Sequence, residues 1–172
     1  EGNQRIDIAG RTTGVKLDGF GAEMDPHFFR KYNQENGLNE EDWALVKKRV
    51  EAMRLHKIRV MVLPEWYEPQ NDDDDPQHMT EENFSWDNQD MQSLYRTLDL
   101  AQECGMKVNL TLWCADAASW SWLAHPHSPH WATAPNDVDE WCENFSALLD
   151  HLLNVKKYTC ITDITPYNEP DG

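Results

Sequence analysis

Two apolar periods alternate along the chain. Lys57-Ile58-Arg59-Val60-Met61-Val62-Leu63 is a β-branched run closed by Pro64, and Lys107-Val108-Asn109-Leu110-Thr111-Leu112-Trp113 repeats its length and character, so both predict strands. Cys160-Ile161-Thr162-Asp163-Ile164-Thr165 ends at Pro166 and predicts a third, and Gly19-Phe20-Gly21-Ala22-Glu23 a shorter one near the start. Between them the period lengthens. Asn39 can cap a helix with Glu40, Glu41 and Asp42 in its first turn and Trp43, Val46, Val50 and Met53 on its apolar face. Asp87 or Asn88 opens a second helix, with Met91, Leu94, Tyr95, Leu98 and Ala101 on one side and Gly105 as its stop. Asn136 or Asp137 opens a third, facing inward through Val138, Trp141, Phe145, Leu148, Leu149 and Leu152.

Strands that alternate with helices pair in parallel through right-handed crossovers. Successive strand residues point to opposite faces, so Ile58, Val60 and Val62 share a side with one another while Arg59 and Met61 take the other; Val108, Leu110 and Leu112 likewise oppose Asn109, Thr111 and Trp113. One face is aliphatic and the other carries polar groups. A doubly wound sheet needs apolar residues on both faces, whereas a (β/α)8 TIM barrel turns one face to its helices and the other to a shared interior, and the barrel is therefore the expected α/β fold. The strands recur every ~45 to 50 residues, so eight units would need ~350, well above the length of this chain. Residues 1–172 are expected to form a single domain covering about the first four βα units, a half-barrel with open edges that calls for its carboxyl-terminal half or a second copy of the chain.

Composition narrows the partners. With 15 basic and 31 acidic residues the formal charge is −16, which disfavours nucleic acid and anionic membrane surfaces. No apolar run approaches the ~20 residues of a membrane-spanning helix. The cysteines, Cys104, Cys114, Cys142 and Cys160, form no CxxC pair and are expected as free, mostly buried thiols; the compartment stays undecided.

In parallel βα units chemistry collects where strands end. The segments following the four strands are Glu23-Met24-Asp25-Pro26-His27, Pro64-Glu65-Trp66-Tyr67, Trp113 with Trp120 and Trp122, and Tyr167-Asn168-Glu169-Pro170. Carboxylates and flat aromatics on one rim are what a sugar requires: rings stack on its CH faces, carboxylates and amides bond its hydroxyls, and two carboxyl groups perform acid and nucleophile roles. Glu169 is the candidate general acid/base, since a carboxyl between Tyr167 and Pro170 can be partly desolvated; the plain alternative is a solvated loop glutamate.

Asn168-Glu169-Pro170 after a fourth strand resembles the signature of clan A glycoside hydrolases, the retaining (β/α)8 glycosidases. Gly19-Phe20-Gly21, the strand-embedded Arg59 and Trp113 with its Trp-rich loop are similar to families 30, 39 and 5 of that clan, and the likeness spans about residues 18–171. It implies Glu169 as acid/base, Asn168 bonding a sugar 2-hydroxyl, and Arg59 bonding the nucleophilic carboxylate. It also implies that this nucleophile, a glutamate on a seventh strand, is missing here, so the isolated chain should be inactive. Trp113 stands where family 5 usually has a histidine. Glu23, Trp66, Tyr167 and Trp120 complete the expected substrate-binding set, with Tyr67, Trp122 and Trp131 as further stacking platforms and Trp43, Trp86 and Trp141 as core. A structural pairing of Arg59 with Glu23 is the alternative to its substrate role.

No cofactor or metal is expected. Asp72 to Asp75 lacks EF-hand spacing and reads as a solvated acidic loop rather than a Ca²⁺ site, and His125, His127 and His130 read as a surface loop rather than Zn²⁺ ligands. The expected function is hydrolysis of β-linked glycans by double displacement, against a non-catalytic carbohydrate-binding half-barrel and, more remotely, a metal-dependent barrel hydrolase.

Overall fold

The computed structural model describes Gly10 and residues 14–73, 75–79, 83–113, 121–125 and 135–168. Four strands, β1 (Gly21–Glu23), β2 (Lys57–Val62), β3 (Lys107–Leu112) and β4 (Ile161–Thr165), form one sheet in the order β1-β2-β3-β4. Every pairing is parallel, with Glu23 opposite Arg59, Arg59 opposite Asn109 and Thr111 opposite Thr165. The expected parallel α/β architecture is borne out. A bulge between Val108 and Asn109 shifts the β3–β4 register.

The helices are α1 (Lys31–Glu35), α2 (Glu40–Met53), α3 (Gln89–Glu103) and α4 (Val138–Asp150), the last running on into a π-helical turn, His151–Val155. Sequence signals placed three of these starts. Asn39 makes a capping box with Asp42, Asn88 accepts from the Met91 amide, and Asp137 accepts from the amides of Asp139 and Glu140. The short α1 was not expected. It carries no buried residue, so no apolar stripe announced it.

The aliphatic strand face is the core face. Ile58, Val60, Val62, Val108, Leu110 and Leu112 are fully buried beneath Met91, Leu94 and Leu98 of α3 and Trp141 and Leu148 of α4. Each such side chain stabilises the fold by ~1.5–3 kcal/mol. Two positions depart from expectation: Val138 and Met53 are exposed, each being the terminal residue of its helix. On the opposite face lie Lys57, Arg59, Asn109, Thr111, Asp163 and Thr165, a polar ladder. Lys57 pairs with Asp163 at 2.8 Å, and the Thr165 hydroxyl donates to Asn109 at 3.1 Å. This face borders a broad open concavity of about 840 Å³.

Glycine is required where β1 meets β2. A Cβ at Gly21 would stand 2.9 Å from the Lys57 carbonyl oxygen, and one at Gly19 would collide with the His56 Cβ. Among the described residues, Cys104, Cys142 and Cys160 are free thiols, and no helix is long and apolar enough to cross a membrane.

Candidate functional site

Arg59 organises the carboxyl end of the sheet. A guanidinium presents donors in a fixed fork, and here they reach three elements: Nε donates to Thr111 Oγ1 on β3 at 3.1 Å, Nη1 meets Glu23 Oε2 on β1 at 3.4 Å, and Nη2 donates to Asn168 Oδ1 beyond β4 at 2.5 Å. Parallel pairing puts Glu23 and Arg59 in register, and Thr111 lies two residues beyond Asn109, which faces Arg59. Strand pleat then aims all of them at one side. Asn168 is buried at 5% exposure, whereas Glu23 is open to solvent. The structure thus brings together Glu23, Arg59 and Asn168, and the Arg59–Glu23 pairing weighed from the sequence is present alongside the bond to Asn168.

Trp113 continues β3 and its amide donates to the Val62 carbonyl at 2.8 Å, while its indole nitrogen is buried without a hydrogen-bond partner. Tyr167 turns the other way. Its ring stacks on Trp141 of α4 at 5.2 Å, and the Trp141 indole nitrogen donates to the Pro166 carbonyl, so this tyrosine anchors the end of β4 to the helix layer.

Two aromatics expected as open platforms are not. Trp66 is buried at 3% exposure; Arg30 lies over its ring at 4.8 Å and His27 meets it edge-on. The 3₁₀ turn Pro64–Trp66 is the physical reason, folding the chain back so that the ring packs inward. Tyr67 is fully buried, stacked on Trp86, and donates its hydroxyl to Asn144 on α4 at 2.5 Å. Trp122 is partly buried and donates to the Glu68 carbonyl at 3.1 Å. Glu169 and Trp120, with Trp131, His127, His130 and Cys114, lie outside the described residues.

Electrostatics mark the loop after β2. Burial pushes Glu65 up to about 7 and Glu68 up to about 8, the Glu68 shift opposed by a 2.7 Å hydrogen bond from the Asn144 amide. Burial also lowers His27. Thr111, as partner of Arg59, was legible only as a polar strand residue; the Glu68–Asn144 pair had no local signal, since its members stand 76 residues apart.

No family model matches the chain, and no curated protein matches it. Solved structures do. A cellulase in complex with an inhibitor superposes with a TM-score of 0.54 at 14% identity, over 92% of this chain and 40% of that one. The GH5_18 protein of Bifidobacterium longum subsp. longum gives 0.47 at 12% identity over 87% of this chain and 33% of that one. Its complex with Manb1-4GlcNAc gives 0.46 at 12% over 86% and 32%. The structural neighbours are glycoside hydrolases. At these identities the likeness is one of fold, and the chain spans between 32% and 40% of the neighbours' lengths.

Proposed function

We propose that this chain forms the first four βα units of a (β/α)8 barrel that hydrolyses β-linked glycans with retention, as clan A glycosidases do. The observation that carries the reading is the buried Asn168 held by Arg59 at the strand ends, because the residue immediately after Asn168 is Glu169. In this reading Glu169 protonates the departing glycosidic oxygen and later takes a proton from water, with Asn168 and Arg59 bonding sugar hydroxyls or the second carboxylate. That second carboxylate comes from outside these residues; Glu23 and Glu65 share the rim, but Glu23 is paired with Arg59 and burial lifts Glu65 to about 7, which disfavours its charged, nucleophilic form. Trp113 follows two residues after Thr111, the β3 partner of Arg59, while Trp66 contributes by holding the loop after β2.

The test compares leaving groups in the protein that joins this chain to the rest of its barrel. Glu169→Ala should lose hydrolysis of glycans with poor leaving groups by about 10²- to 10⁴-fold, and far less with activated aryl glycosides that need no proton. Equal losses on both overturn the assignment. Oligosaccharide binding with no turnover on either substrate class supports the carbohydrate-binding alternative instead.

A further inference from the structure

A second polar cluster stands apart from the Arg59 hub. Asp72, in the loop after β2, and Glu140 and Glu143, on the first two turns of α4, each aim a carboxylate oxygen so that all these atoms lie within 4.8 Å of one another. The fold holds them there firmly. Glu140 and Glu143 are three apart and share a helix face, and Asp137 caps the helix below them. The loop is tied to the same helix by a chain of bonds: the Tyr67 hydroxyl donates to Asn144 Oδ1, and Asn144 Nδ2 donates to Glu68 Oε2.

What distinguishes the cluster from a solvated acidic patch is the state of its oxygens. Glu140 is 7% exposed, and its Oε2 is buried with no hydrogen-bond partner. Asn71 Oδ1, Glu143 Oε1 and Glu68 Oε1, on or beside the same cluster, are likewise buried without partners. All four are acceptors. Burying an acceptor without a donor costs ~1–3 kcal/mol, and burying several carboxylates together costs more, unless something positive joins them. Among the described residues no lysine or arginine forms an ion pair with Glu68, Glu140 or Glu143.

We infer that Asp72, Glu140 and Glu143 form a site for a hard divalent cation, Ca²⁺, that fastens the loop after β2 to the start of α4. The donor set is oxygen alone, without histidine or cysteine, which excludes a preference for softer metals. Geometry selects within the hard cations: Ca²⁺ accepts an irregular set of carboxylate oxygens in flexible coordination, whereas Mg²⁺ demands a near-octahedral shell and keeps most of its water. The inference stands independently of the glycosidase reading. The competing arrangement is a proton shared between Glu140 and Glu143, which needs no metal.

The experiment is calorimetric titration of chelator-treated protein with CaCl₂, then MgCl₂, paired with thermal melts. One Ca²⁺ should bind per chain, raising Tm by about 5 °C at a hundredfold excess over Kd, with Mg²⁺ weaker by at least tenfold. Glu140→Gln and Asp72→Asn should each abolish the saturable phase and the Tm shift. Because Glu140→Gln relieves repulsion, its metal-free form should melt no lower than metal-free wild type, which keeps the test clear of misfolding. Glu41→Gln, on the exposed face of α2, is the control for diffuse binding to an acidic chain and should change nothing. Absence of saturable Ca²⁺ binding, or binding left intact by Glu140→Gln and Asp72→Asn, overturns the site. A metal-independent stabilisation by Glu140→Gln without any Ca²⁺ response assigns the pair to a shared proton.

Discussion

Arg59 and Asn168 lie 109 positions apart and meet in a 2.5 Å hydrogen bond that ties the middle of β2 to the residues following β4. Since β3 lies between those strands, the guanidinium spans the sheet from one edge strand's carboxylate to the far edge's amide. From its own strand, β2, it thus bonds side chains on β1, on β3 and just beyond β4.

A double-mutant cycle on Arg59→Ala and Asn168→Ala should therefore show coupling. Hydrogen bonds to charged groups contribute ~1.5–3 kcal/mol, and the partly exposed arginine side chain discounts this to about 1 kcal/mol. Urea denaturation of the two single variants and the double variant measures it; additive losses would mean that the bond does not hold the rim. Arg59→Lys should rescue little, since an ammonium cannot serve three partners in the plane of a fork.

Ser93 on α3 is fully buried and holds the turn that follows β1: its hydroxyl donates to the Pro26 carbonyl at 2.6 Å and accepts from the Phe29 amide at 3.0 Å. Ser93→Ala strands both backbone groups. A loss of about 1–3 kcal/mol is expected, with amide hydrogen exchange at Phe29 accelerated more than at the α3 amides. Unchanged exchange at Phe29 would contradict the anchoring role.

Gly21→Ala tests the close approach of β1 to β2. A methyl group 2.9 Å from the Lys57 carbonyl must push the strands apart, so the Met24 amide bond to the Arg59 carbonyl, 2.9 Å long, should weaken. The expected result is a destabilisation of about 1–3 kcal/mol with a normal far-ultraviolet spectrum, the sheet core being untouched. A neutral outcome would show that β1 docks with slack.

The two faces of the sheet were readable because strand alternation is a local property: Val60 and Val62 point inward and Arg59 outward whatever surrounds them. Helix starts were readable for the same reason, Asn39, Asn88 and Asp137 each bonding within their own turn. Trp66 and Tyr67 were misjudged because their burial depends on Arg30, Trp86 and Asn144, brought in from distant segments. The acidic cluster was half legible. Asp72 belongs to a conspicuous run, but its companions Glu140 and Glu143 look like ordinary acids of the first two helical turns until the loop is laid on α4.

His151 predicts an acid limb. Its imidazole stacks on Trp86 at 4.1 Å and its Nε2 lies 2.8 Å from the Tyr95 hydroxyl, whose single proton goes to the Trp86 carbonyl. Nε2 must then carry hydrogen and donate, leaving Nδ1 to titrate. Burial, with Lys156 adding to it and Asp150 opposing it, lowers the group below 6.5. The folded pKa is below the unfolded one, so this stability is present above pH 6.5 and is lost as pH falls through that value towards the folded pKa. Melts across this window should show Tm falling with acid in the wild type, and a smaller fall in His151→Phe, which retains a ring for the stack. Parallel profiles would remove His151 from the account.

Glu65 works in the opposite sense. Burial lifts its carboxyl from 4.5 to about 7, against the weaker pull of its own backbone amide and of Arg30, with Asp90 adding to the rise. Arg30 is already paired with Asp90 at 2.6 Å, which is why its charge does so little for Glu65. The folded state binds this proton more tightly than the unfolded chain, so the contribution is complete below pH 4.5 and drains away as pH climbs to about 7. Glu65→Gln keeps the shape and removes the proton, and should therefore hold its Tm across that interval where the wild type loses some. Measurement in chelator keeps any cation at Asp72, Glu140 and Glu143 from masking the slope, and the residual slope that those acids impose cancels in the difference between the two proteins. If Glu65→Gln and wild type descend together from pH 4.5 to 7, the side chain is hydrated and the loop after β2 is more open than its burial implies.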